Sequence, residues 1–274
     1  MNELRGKLAL VTGAGSGIGR ATALALAREG MRLVICDRDE AALAAVAREL
    51  ASQHARSERV DVSDRDAMRA LADRVHASFP AVDVLVNNAG IAHAGRLVDT
   101  TLEDWDRVMA VNLGGVMHGC RFFVPKMIAR GAGGHVVNVS SMAGLFAFPG
   151  IAAYTTSKFA VVGLSESLRA ELAPHRIGVS TICPGVTRTN LSRTMTLSDA
   201  LAAQRSVLDR FGSGFGHDAS SVAAAIVRAI RANRGTVPVS VETRTLDWIR
   251  RRSPRAAGWL GSAIAHLSPG KVEA

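Results

Sequence analysis

Lys7-Leu8-Ala9-Leu10-Val11-Thr12-Gly13-Ala14-Gly15-Ser16-Gly17-Ile18-Gly19 is the stretch whose reading decides the fold. Its first half is a short apolar run without polar alternation, the pattern of a strand buried on both faces of a parallel sheet. A glycine turn follows, then a helical pattern from Arg20 to Glu29 closed by Gly30. Strand, glycine turn and helix N-terminus together make an anion site. Backbone N–H groups and the helix dipole favour a pyrophosphate, and glycines let it approach. The spacing Gly13-x-x-x-Gly17-x-Gly19 departs from the general G-x-G-x-x-G form of that turn.

Outward from this turn, strand and helix alternate, which predicts an α/β chain built on a parallel sheet. Arg32 to Cys36 reads as a second strand ending at Asp37, 18 residues past Gly19, where a dinucleotide site keeps its ribose-reading carboxylate. Asp37 would bond both adenosine ribose hydroxyls and repel a 2′-phosphate. The plainer reading is a cap for the alanine-rich helix at about 40–52, a role that suits Asp39 better. Arg38 is a cation able to meet a 2′-phosphate. Ser57 to Val62 reads as a third strand, with Asp61 and Val62 in reach of an adenine edge and Ser63 capping a helix from Asp64 to Ser78. Val82 to Val86 is a fourth strand. Asn87-Asn88-Ala89-Gly90 after it offers amides to neighbouring strands and room for a cofactor.

Thr101 to Arg130 is one long helical pattern with Thr101 as its cap. Asn112 lies in its apolar interior, a conflict that predicts a kink or a functional polar group. His135 to Val139 is a fifth strand, Ile177 to Cys183 a sixth, and Val237 to Val239 a seventh at the edge, where Pro238 is tolerable. Residues 190–217 are polar, with Gly212, Gly214 and Gly216 close together, and read as a lid.

The chemistry gathers at Ser141 and at Tyr154-Thr155-Thr156-Ser157-Lys158, which opens a helix running to about Ala173. A tyrosine and a lysine four apart share a helix face. The ammonium is expected to favour the ionised phenol and lower its pKa. A phenol poised to give or take a proton, with a serine hydroxyl to hold an oxygen, suits carbonyl–alcohol interconversion. The plainer reading makes Tyr154 a helix-start residue and Lys158 part of a solvated face.

Composition narrows the alternatives. At 274 residues and 48% hydrophobic content, one large core is affordable. Cys36, Cys120 and Cys183 follow no metal or redox spacing and read as buried free thiols in a reducing compartment. The first seven residues lack the apolar core of a signal peptide, and no apolar run reaches spanning length, so a cytoplasmic protein is expected. The net charge of +9 admits nucleic-acid binding, but the arginines are scattered and aromatic content is only 4%, too little for a stacking platform. From Arg244 the tail is distinctive: Arg250-Arg251-Arg252 stand among Trp248, Ile249, Trp259, Leu260, Ile264 and Leu267. Cover for the cleft or for a partner subunit is the favoured reading, with peripheral contact to a membrane surface the other.

These motifs, in order over residues 6–190, resemble the classical short-chain dehydrogenase/reductase family. Thr12-Gly13-x-x-x-Gly17-x-Gly19 is similar to its cofactor turn and Asn87-Asn88-Ala89-Gly90 to its sheet motif. Pro184-Gly185 is similar to its nicotinamide-side turn, and Asn112, Ser141, Tyr154 and Lys158 to its catalytic tetrad. The resemblance implies a Rossmann-type, doubly wound α/β domain over 1–243, with a seven-stranded parallel sheet in the order 3-2-1-4-5-6-7 and an extension over 244–274. It also implies a mechanism. Tyr154 is general acid in reduction and general base in oxidation, while Lys158 tunes it and bonds the nicotinamide ribose. Ser141, with Ser140 as its rival, positions the substrate oxygen, and Asn112 holds a water that links Lys158 to solvent. The implied cofactor contacts are Gly13, Ser16, Gly17, Ile18, Gly19, Asp37, Arg38, Asp61, Val62, Asn88, Ala89 and Gly90 on one side. On the other are Tyr154, Lys158, Pro184, Gly185, Val186, Thr187 and Thr189. Asp37 and Ser16 point to NAD over NADP.

For substrate, Ser141, Met142, Ala143, Phe148, Tyr154 and Gly185 are the candidates. The apolar wall from Met142 to Pro149 suggests a lipophilic ketone or secondary alcohol, steroid-like, terpenoid or long-chain. Helices at 101–130 and 154–173 resemble the family's oligomer interfaces, so a homodimer or homotetramer is expected. The competing classes are an NADH-sensing regulator without chemistry and an adaptor that uses the basic tail.

Overall fold

A computed structural model of the chain describes residues 1, 3–189, 191, 195–202 and 216–267. Seven parallel strands form its centre: β1 (Leu8–Thr12), β2 (Arg32–Asp37), β3 (His54–Arg59), β4 (Val84–Asn87), β5 (Gly134–Val139), β6 (Ile177–Cys183) and β7 (Thr236–Pro238). They lie in the order β7-β6-β5-β4-β1-β2-β3, the doubly wound, Rossmann-type arrangement. β1, β4 and β5 are buried along their whole length, which is why their sequences read as unbroken apolar runs.

Each face of the sheet is closed by helices whose apolar stripes point inward. On one side are α1 (Gly17–Arg28), α2 (Glu40–Leu50) and α7 (Ala219–Ala232), which pack Leu26, Val46 and Ile226 over β1 and β2. On the other, α3 (Arg65–Ser78), α5 (Gly115–Arg130) and α6 (Ala152–Leu172) set Leu71, Phe123 and Val161 against Leu10, Leu85 and Val136. The chain moves outward in opposite directions from β1 and from β4. Their carboxyl ends therefore part and leave a crevice at the sheet's top edge.

Four expectations need correction. β3 lies three residues ahead of Ser57–Val62. Val60 and Val62, which suggested the strand, fold inward past its end as core residues 4% and 6% exposed, and the edge ladder itself is polar. α3 is capped by Asp64, whose carboxylate accepts from the Asp66 and Ala67 N–H groups at 2.9 Å, while Ser63 donates its hydroxyl to Asp61. The 101–130 pattern divides into α4 (Leu102–Met109), a π-helical turn at Ala110–Gly114, and α5. The boundary at 243/244 falls inside α8 (Val241–Arg252), which with α9 (Pro254–Leu267) forms the C-terminal part.

Of the 190–217 segment, residues 190, 192–194 and 203–215 lie outside the described residues, and the lid reading with them. Two strand pairings tie its described part to the body. Thr196–Leu197 pairs in parallel with His93–Ala94, and His217–Asp218 pairs with Thr187–Arg188.

Candidate active site

The glycine turn takes its shape from backbone that side chains would block. Gly13 has φ +63°, and a Cβ on it would stand 2.8 Å from the Ala89 Cα. A Cβ on Gly19 would run into the Gly13 carbonyl oxygen. Asn88 locks the turn to β4: its amide donates to the Thr12 carbonyl at 2.9 Å and the Gly13 carbonyl at 3.1 Å. Thr12 returns the bond, its hydroxyl accepting from the N–H groups of Asn88 and Ala89. Asn87 reaches the other way, donating to the Asn138 side chain at 2.8 Å. The motif thus staples three neighbouring strands, as its amides suggested.

Asp37 stands at the tip of β2. One carboxylate oxygen accepts from the Gly15 N–H at 2.8 Å and the other from Asp39 N–H at 3.0 Å. Asp39, not Asp37, caps α2 by accepting from the Ala42 N–H. A carboxylate fixed beside the glycine turn leaves its outer lone pairs toward the cleft.

At the opposite end of the crevice, β5 ends in two adjacent serines with different fates. The Ser140 hydroxyl turns inward and donates to the Lys158 carbonyl at 2.9 Å. The Ser141 hydroxyl accepts from the Ala143 N–H and is the polar side chain acting on the Tyr154 phenol. Lys158, 4% exposed, donates from Nζ to the Val139 carbonyl at 3.1 Å, and Nζ lies 5.7 Å from the Tyr154 ring centre. Burial pushes the Lys158 ammonium down to about 8. Burial also pushes the Tyr154 phenol up, with the Ser141 hydroxyl pulling it partly back. The lowering expected from Lys158 is therefore reversed. Desolvation of the phenolate is the largest cause, and the Lys158 ammonium gives one of its N–H groups to a backbone carbonyl instead.

Asn112 is fully buried in the π-helical turn. Its amide donates to the Ile91 carbonyl and the Ser157 hydroxyl, and its oxygen accepts from the Ile91 N–H at 2.8 Å. Both donors are used and one acceptor position on the oxygen remains. A Cβ on Gly90 would sit 3.2 Å from that oxygen and 3.3 Å from Lys158 Nζ, so Gly90 keeps the space between them open. The conflict in the sequence at Asn112 thus resolves as both things expected: a distorted helix and a polar group at the site.

One cleft of about 740 Å³ runs from Asp37 to Phe148. Every residue expected to touch cofactor or substrate lines it except Gly19, packed beneath Gly13, and Asn112, which stands behind Gly90. The glycine turn lines one end of the cleft, with Ser16 at the cap of α1 making no side-chain bond to that helix. The turn from Pro184 to Thr189 folds over it, near enough that a Cβ on Gly17 would stand 3.1 Å from the Thr189 side chain. These features fit a dinucleotide. The cleft's other end is walled by Met142, Phe148, Ile151, Val186, Leu191 and Met195, with no charged side chain among them. Ile151, Leu191 and Met195 were missed from the sequence, because no spacing marks an apolar residue in a loop as lining.

The C-terminal part forms the back of this wall. Arg250 of α8 donates to the Leu145 carbonyl at 3.2 Å and lies over the Phe159 ring at 4.8 Å. At the start of the same helix, a Cβ on Gly185 would collide with the Ser240 hydroxyl and the Glu242 carboxylate, and Glu242 meets His217 at 2.8 Å.

A family model described as short chain dehydrogenase matches residues 7–199. The protein described as Probable oxidoreductase EphD of Mycobacterium tuberculosis is 46% identical over 257 residues, covering 91% of this chain and 43% of that one. The chain therefore spans under half the length of that relative. The 3beta-hydroxysteroid dehydrogenase 2 of Eggerthella lenta is 41% identical over 192 residues, 69% of this chain and 74% of that protein. Among solved structures, a short chain dehydrogenase/reductase from Burkholderia phymatum in complex with NAD matches with a TM-score of 0.87 at 33% identity, covering 93% of this chain and 96% of its own.

Proposed function

The chain belongs to the short chain dehydrogenase family, and on that premise we propose that it is an NAD(H)-dependent enzyme interconverting a lipophilic ketone and its secondary alcohol. One observation carries the reading. The Ser141–Tyr154 hydroxyl pair, backed by Lys158, opens onto the uncharged end of a cleft whose far end holds Asp37.

The roles follow from the surroundings of each group. Bound in the cleft, the nicotinamide cofactor would supply the hydride, or accept it. Ser141 holds the substrate oxygen by hydrogen bond. Tyr154, its phenol pushed up by burial, delivers its proton to that oxygen in reduction; in oxidation it must first lose the proton, against that burial and with only the neighbouring Lys158 cation in its favour. The remaining acceptor position of Asn112 faces Lys158 across Gly90, a path along which a proton can be restored. Asp37 reads the adenosine ribose and excludes a 2′-phosphate by charge, while Arg38 at the same rim softens that exclusion. The substrate class rests on the wall: a cleft end lined by Met142, Phe148, Ile151 and Met195 gives a polyol nothing to bond.

The test is Tyr154→Phe in pure protein. Turnover should fall by about a hundredfold to ten-thousandfold, while NADH affinity, read by fluorescence, stays at the wild-type value. Unchanged turnover defeats the proposal. A panel of hydrophobic and small polar alcohols tests the substrate class, and preference for a small polyol removes it.

A further inference from the structure

The two C-terminal helices are the least embedded part of the described chain. α8 buries only Thr243, and no residue of α9 whose side chain is described is buried. The sequence reading favoured cover for the cleft or for a partner subunit, and in the single chain the indoles stand open. Trp248 is 61% exposed and Trp259 74%. Arg250 turns to the wall at Leu145, and Gly261 lies near the Ala147 carbonyl.

Between Val241 and Leu267 there are five arginines and two acids, and both acids are already engaged, Glu242 with His217 and Asp247 with Arg251. Arg244, Arg252 and Arg255 stand exposed near the indoles in sequence. On α9 the exposed side is otherwise small or apolar, with Ala256, Gly258, Trp259 and Ala265 and the single charge Arg255. No helix among the described residues is long and apolar enough to cross a membrane.

We propose that α8 and α9 dock this chain peripherally on an anionic lipid surface. Tryptophan prefers the headgroup level of a bilayer, where its ring is half apolar and its N–H finds a partner. Arginines flanking it are drawn to lipid phosphates, and each adds roughly fivefold to binding. A nucleic acid would also attract the arginines, but the apolar side of α9 has no use against a phosphate backbone and suits the acyl boundary.

The experiment is flotation of the full-length protein with vesicles of phosphatidylcholine alone, and of phosphatidylcholine mixed with phosphatidylglycerol, at low and physiological salt. Binding should need the anionic lipid, weaken with salt and shift tryptophan emission to the blue. The charge-reversal pair Arg252→Glu and Arg255→Glu should lose roughly twenty-five-fold or more. The pair Trp248→Ser and Trp259→Ser should lose both binding and the blue shift. Both variants should keep wild-type NADH affinity and thermal midpoint, which separates this outcome from misfolding. The idea is overturned if wild type ignores anionic vesicles or if the variants float as well as it does. It is equally overturned if the tryptophan pair instead breaks a self-associated species in sedimentation, or if single-stranded oligonucleotide binds where vesicles do not. The readout is partition rather than turnover, so its failure leaves the oxidoreductase reading untouched.

Discussion

Ser140 and Ser141 show how much one peptide step decides. Successive residues at a strand end face opposite sides, so one hydroxyl enters the core and the other enters the cleft. Ser141→Ala should lower kcat by about a hundredfold with little change in melting, whereas Ser140→Ala should cost on the order of 1 kcal/mol of stability and spare kcat; kinetics and thermal denaturation of the two variants separate them. Asp37→Ala should raise kcat/KM with NADPH relative to NADH, and a wild type that prefers NADPH would refute the ribose role. These positions were legible because each is a chemical type at a fixed offset from a glycine turn or a helix start. The direction of the Tyr154 shift was not. It depends on how completely the fold dries the phenol, a quantity that four-residue spacing to a lysine does not contain.

Among the elements, the strands that carry the site were readable because burial on both faces writes itself as an apolar run, and β6 falls where the pattern put it. The polar edge strand β3 was misplaced for the complementary reason: only one of its faces meets the core, and stronger apolar residues follow it. The π-helical turn was invisible as geometry, since it widens a helix without changing its composition, though Asn112 marked the place. Its neighbour α5 approaches β4 so closely that a Cβ on Gly119 would meet the Asn87 side chain. Gly119→Ala should therefore disturb the Asn87–Asn138 bond and cost about 1–3 kcal/mol, measured by urea unfolding. Arg250→Ala removes the bond to Leu145 and the contact with Phe159. KM for a lipophilic substrate should rise about fivefold while kcat and NADH affinity hold, since roughly 1 kcal/mol of wall positioning is lost.

For the molecule as a whole, the deepest interior makes its own pH dependence. His135 is buried between β5 and β6, bonded to the Ser180 hydroxyl, and burial first, then nearby positive charge, pushes it down to about 3 from an ordinary 6.5. The unfolded chain binds this proton before the folded one does. Stability is full above pH 6.5 and falls as pH drops toward 3, by up to about 1.4 kcal/mol per unit. His135→Asn should flatten that acid limb in denaturation midpoints measured against pH. Cys36, Cys120 and Cys183, all buried and each pushed up to about 12, should resist thiol reagents until the whole domain opens. The seam between α8 and the catalytic floor reaches further. Ser240 and Glu242 pack against the Pro184–Gly185 turn, and Arg250, ten residues past Ser240, holds the apolar wall at Leu145. Choice of substrate and design of the chain's ending are thereby mechanically joined. A chimera that kept this sheet but borrowed another tail would retain its proton chemistry and acquire different tastes.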